Sequence, residues 1–135
     1  MIKWPITYTN YNDEEITEDF YFNLNKAELT QMQFNAQGAY SQFIERITNQ
    51  RDLKRLGEEF RALILNSYGV KSDDGRLFNK SQQLRDEFEN SAAYAVLYME
   101  LLSDADKASK FVTGILPKDL QANSKNAIKG ALKSV

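Results

Sequence analysis

The chain has 135 residues, 42% of them hydrophobic and 12% aromatic, which is enough for one sizeable core and too little for a second domain of ordinary size. Its formal net charge is −2 with acids and bases interspersed, so the basic field that nucleic-acid binding needs is missing and no such partner is expected. With no cysteine and no histidine, the composition excludes disulfides, thiolate chemistry, structural zinc and imidazole base catalysis.

The N-terminus, MIKWPITYT, has a proline, threonines and tyrosines where a signal peptide carries an apolar core, so a cytoplasmic location is expected. Stretches 2–9 and 16–24 are rich in Ile, Thr, Tyr and Phe and are separated by the polar run NYNDEE, which predicts a β-hairpin over 2–24. In its second strand Ile16, Phe20, Phe22 and Leu24 share one face, and Thr17, Asp19, Tyr21 and Asn23 the other. Glu18 breaks the apolar face and is expected near the open end of the hairpin, within reach of solvent.

Asn25 with Glu28 three positions later is a capping-box signature, so a helix should open directly after the strand, with Ala27, Leu29, Met32 and Ala36 on its apolar face and Gly38 ending it. Tyr40, Phe43, Ile44 and Ile47 then recur at helical spacing. Asp52 is placed to cap a third helix whose stripe is Leu53, Leu56, Phe60, Leu63 and Ile64, with Tyr68–Gly69 as its stop. VKSDDGRLF reads as a turn centred on Asp74 and Gly75, with Phe78 pinning the exit. Ser81 can cap a short helix carrying Leu84 and Phe88.

The run from Ser91 to Leu102, SAAYAVLYMELL, is about half the length needed to span a bilayer and contains Glu100, so it should be a buried or interface helix. Ser103 with Asp106 predicts the cap of a last helix bearing Ala105, Ala108, Phe111, Val112 and Ile115, closed by Pro117. The lysine-bearing stretch 118–135 is expected to be a mobile tail, in which a short helix through Ile128 and Leu132 would be marginal by itself. The prediction is therefore an α+β protein, mainly α: an N-terminal hairpin and about six helices in one domain, with the hairpin at 2–24, the helical part at 25–117 and the tail beyond.

No catalytic, cofactor or metal site is expected. The acid pairs at 13–15, Glu58/Glu59, Asp73/Asp74 and Asp104/Asp106 fit a polar turn, a solvated helix face, a loop and a helix N-terminus respectively. KSDDG resembles the start of a calcium loop, but Leu77, Phe78 and Lys80 occupy positions where oxygen ligands belong. The phenylalanines, Phe20, Phe22, Phe43, Phe60, Phe78, Phe88 and Phe111, are expected in the core. Tyrosine suits interfaces as well as core margins, which makes Tyr8, Tyr11, Tyr21, Tyr94 and Tyr98 candidates for protein contact. The 91–102 helix is apolar nearly all round, more than a single small core is expected to cover, and self-association would bury the surplus.

The segments ITYTNYNDEEITEDFYFNLNKAELTQMQ, FRALILNSYGVKSDDGRLFNKSQQLRDEF and SAAYAVLYMELLSDADKASKFVTGILP resemble the tail assembly chaperones of long-tailed phages and prophages of Gram-positive bacteria. The likeness runs from about Ile6 to Pro117, and its most distinctive parts are FYFNLNKAEL, the SDDGR turn and FVTGILP. It implies a non-enzymatic factor, acting in the host bacterial cytoplasm, that binds the tape measure protein, keeps it soluble, helps recruit tail tube subunits and is absent from the mature virion. Many members also exist in a longer, frameshifted form. The resemblance supplies no catalytic residues and no cofactor, and leaves the candidate interface tyrosines to the physical reading alone. A rival of another class is a structural tail or connector subunit retained in the particle, using the hairpin edge for strand addition. A third, an enzyme, has little foothold without His and Cys.

Overall fold

A computed structural model describes residues 1–32 and 53–120. The alternating pattern at the N-terminus forms the antiparallel pair β1 (Ile2–Thr9) and β2 (Glu15–Phe22), in a register that sets Ile2 opposite Phe22 and Trp4 opposite Phe20. Asn10 closes the turn: its side-chain oxygen accepts from the backbone N–H groups of Asn12 and Glu14, while Asp13 adopts φ 60°. Glu18 lies in mid-strand opposite Ile6 and not at the open end. It stays solvated there and accepts a 2.6 Å hydrogen bond from the Tyr8 hydroxyl.

The sheet does not stop at the hairpin. Helix α2 (Leu53–Ser67) ends where Tyr68–Gly69 was expected to stop it, but the chain continues as β3 (Tyr68–Lys71), antiparallel to β2, and turns through Gly75 (φ 75°) into β4 (Phe78–Asn79). The four strands lie in the order β1-β2-β3-β4. Two strands so short carry no readable alternation, and the β2 partners of β3, Tyr21 and Phe22, lie far away in sequence. The SDDGR turn expected from the sequence is the β3–β4 connection.

The helices are α1 (Lys26–Gln31), α2, α3 (Gln82–Glu89), α4 (Ala92–Ser103) and α5 (Ala105–Ile115), followed by a 3₁₀ turn at Lys118–Leu120. Among the described residues there are thus five α-helices, one fewer than about six. Helix α1 ends at Gln31 with Met32 as its C-cap, short of the expected stop at Gly38. The expected helix through Tyr40, Phe43, Ile44 and Ile47, Ala36 and Gly38 themselves, the Asp52 cap and tail residues 121–135 lie outside the described residues. Asn25 caps α1 through a full capping box, and Ser81 and Ser91 cap α3 and α4. The cap of α5 is Asp104, whose carboxylate accepts from the N–H groups of Asp106 and Lys107. Ser103 is instead the last residue of α4, its hydroxyl donating back to the Met99 carbonyl. A carboxylate one residue closer to the helix both caps and favours the positive dipole end, so it displaces the serine from that role.

One face of the hairpin and all five helices enclose the core. Trp4, Ile6, Phe20, Phe22 and Leu24 come from the hairpin side and meet Leu29, Phe60, Ile64, Phe88, Leu97 and Phe111. The Phe22 ring is fully buried, with ring centroids of Phe111, Tyr68 and Phe88 at 5.0, 5.9 and 5.9 Å. Five of the expected core phenylalanines besides Phe22 are described: Phe20, Phe60, Phe88 and Phe111 are buried, and Phe78 is half-buried. Helix α4 is the centre of the helical layer, packed against β1, α2, α3 and α5. Four neighbours cover most of the surface that the sequence suggested would be left over, and only Ala95 and Met99 on its middle turns are exposed. At Gly114 a Cβ would lie 2.8 Å from the Ile2 Cβ, so α5 approaches β1 as closely as it does because that residue has no side chain.

Candidate functional site

The five candidate tyrosines do not form one site. Tyr11 stands in the hairpin turn, 82% exposed, while Tyr8 leans on Phe20 and donates to Glu18, a bond that raises its pKa above the ordinary tyrosine value. Tyr21 occupies the opposite face of β2, where the Lys71 ammonium lies 5.6 Å from its ring centre. Tyr94 and Tyr98 sit one turn apart on α4, ring centroids 5.8 Å from each other. Tyr94 makes an edge contact with Phe88, and the Tyr98 hydroxyl covers Gly57 of α2, in space that a Cβ would contest. Burial, assisted by the charge of Glu89, pushes the Tyr94 hydroxyl up to about 12. Both α4 tyrosines therefore have packing roles at the seams between helices, and Tyr11 alone of the five is free-standing.

The strand-to-helix junction at FYFNLNKAEL is a structural knot. Beyond Phe22 the backbone N–H of Asn23 donates to the Ser67 carbonyl and that of Leu24 to the Ile115 carbonyl, so the segment links the ends of α2 and α5. Glu28 spends one carboxylate oxygen on the Asn25 N–H and the other on the Lys80 ammonium. Lys80 also donates to the carbonyls of Asn23 and Asn66, which satisfies all three of its donors, and burial lowers its pKa despite Glu28. A shallow cleft of about 170 Å³ beside it is lined by Leu24, Glu28, Gln31, Met32, Asn66 and Arg85.

A second cleft, of about 250 Å³, was not anticipated from the sequence. It lies where the outer part of β1 meets α4 and α5 and is lined by Lys3, Trp4, Pro5, Glu100, Lys107 and Lys110. The only signal in the sequence was the pair of lysines at 107 and 110, three apart on one helix. Nothing local tied them to Trp4.

The acid pairs behave as turn and cap residues. Asp74 accepts from the Ser72 hydroxyl and the Arg76 N–H, which hold its carboxyl below the usual range, and Asp104 caps α5. Among the described residues no group of three or more acids is placed to hold a metal ion, and no helix is long and apolar enough to cross a membrane.

A family model described as "Phage tail assembly chaperone" matches residues 1–134. The chain belongs to the phage tail assembly chaperone family. No curated protein and no solved structure gave a significant match. The match covers the hairpin, the helical layer and the lysine-bearing C-terminal stretch of the chaperone alike.

Proposed function

We propose that this chaperone binds the tape measure protein of its phage, keeps that long chain soluble in the host cytoplasm and helps recruit tail tube subunits, without remaining in the finished virion. The observation that carries the reading is the family match over residues 1–134. Physical support comes from the surface. Tyr11, Leu53, Met99 and, on the β3–β4 hairpin, Val70 and Leu77 are large apolar side chains left exposed, which suits weak, exchangeable contacts with a helical client better than one deep docking pocket. Several copies along one client gain by avidity, so each contact can be weak, and self-association of the chaperone would align the copies.

The function is carried by binding and not by catalysis, and it asks for no cofactor. The rival reading, a subunit retained in the tail through strand addition, meets a physical obstacle at β1. Pro5 stands in the middle of that edge strand and has no N–H to offer an incoming strand.

Co-expression decides the matter. The tape measure protein should stay in the supernatant and co-purify with the chaperone, and should sediment without it. A tape measure protein equally soluble and equally unbound in both cases would overturn the proposal. Mass spectrometry of purified virions should find no chaperone, whereas stoichiometric recovery would favour the retained subunit.

A further inference from the structure

The cleft between β1, α4 and α5 has a specific charge and shape. Its floor is Trp4, whose ring edge packs against Phe111 and whose indole N–H donates to a Glu100 oxygen at 3.1 Å. The other Glu100 oxygen takes Lys107 at 3.3 Å. Glu100 thus fixes the indole and neutralises one lysine. Lys3 and Lys110 make no ion pair among the described residues, although both line the cleft and both are exposed. The Lys110 ammonium hangs 5.9 Å from the centre of the Trp4 ring. Two uncompensated cations therefore flank an aromatic wall on a protein whose overall charge is negative.

We propose that this cleft docks a short acidic segment of a partner protein, with a carboxylate held between Lys3 and Lys110 and an adjacent apolar side chain laid against Trp4 and Pro5. Charge complementarity supplies the argument, because Lys3, Lys107 and Lys110 line the cleft against the carboxylate of Glu100 alone. Pro5 has no N–H to offer at the middle of this edge, which weakens main-chain pairing there and favours recognition by side chains. The surface is a specific anchor additional to the apolar contacts of the proposed holdase function, and it stands whether or not the tape measure protein is the client.

Trp4 is the single tryptophan of the chain, so its fluorescence reports on this cleft alone. Titrating the full chain with a short synthetic peptide of glutamates and leucines, free of aromatic residues, should give a saturable change in Trp4 emission that weakens as salt is raised. The counterpart peptide with lysine in place of glutamate should give none. Lys3→Gln with Lys110→Gln, chosen because both side chains are exposed and unpaired, should weaken binding by about tenfold or more with an unchanged far-UV spectrum. Arg76→Glu, on the distant β3–β4 turn, should leave it unaltered. Equal binding by the double variant, equal binding of the basic peptide, or no Trp4 response at saturating peptide would each overturn the proposal. The same response to inorganic phosphate alone would make the cleft a small-anion site. A change in sedimentation of the double variant without any peptide would make its occupant a second copy, and either result also refutes the partner segment.

Discussion

The Lys80 ammonium lies 2.5 Å from the Glu28 carboxylate, and through that pair the β4–α3 connection is fastened to the first turn of α1. The Lys80 side chain is only 14% exposed, and its other two donors meet main-chain carbonyls of Asn23 and Asn66. Removing the ammonium leaves a carboxylate and two carbonyls short of partners in a poorly hydrated place, which is the costly way to break such a pair. Lys80→Met should lower the stability to urea unfolding by about 2–4 kcal/mol, and a loss within experimental error would show that water replaces the lysine without penalty.

The capping box of α1 is a separable contribution. Asn25→Ala removes the acceptor for the Glu28 N–H and should cost about 1 kcal/mol, whereas Asn25→Gly should cost only a few tenths, because glycine is tolerated at that position. Chemical denaturation of the two variants side by side checks the order.

Helix propensity alone predicts that Gly114→Ala would stabilise α5 by roughly 0.5–1 kcal/mol. The structure reverses the sign. The new Cβ would overlap the Ile2 Cδ1 and stand 2.8 Å from its Cβ, and the latter is fixed to the β1 backbone. A net destabilisation of about 1–2 kcal/mol and a fall of several degrees in Tm are expected from overpacking. A rise in Tm would mean that β1 slides off α5 at little cost.

Tyr94 makes stability depend on alkaline pH. Its folded pKa is pushed up to about 12 from the ordinary 10, so the folded state keeps its proton where the unfolded state has lost it. The contribution is therefore fully present below pH 10 and is lost as pH rises through about 12. Thermal unfolding across that range should show a shallower decline for Tyr94→Phe than for the parent chain. Parallel declines would mean that Tyr94 titrates normally.

The tyrosines divide by what they touch. Tyr11→Ser, at an exposed turn position, should change stability by no more than about 0.5 kcal/mol, and any loss of client capture in that variant would then report binding directly. Tyr98→Glu sets a charge at the α2–α4 seam over Gly57 and should unfold or strongly destabilise the chain. An intact fold for Tyr98→Glu together with lost self-association would instead support Tyr98 as a contact residue.

Where the determining interaction is local, the sequence by itself supplied most of the answer, although it set the α5 cap at Ser103, one residue before Asp104. The hairpin faces followed from alternation at Phe20, Phe22 and Leu24, and the α1 start from Asn25 and Glu28, since a cap and its donor lie within one turn of each other. The addition of β3 to β2, the covering of α4 and the partners of Lys80 and Trp4 were decided only by tertiary structure. Lys80 meets Glu28 across 52 residues and Trp4 meets Glu100 across 96, distances over which no periodicity or spacing rule constrains the chain. Closing such loops depends on the burial won by the whole core, so which side chains meet there is settled by packing and not by any segment's own pattern.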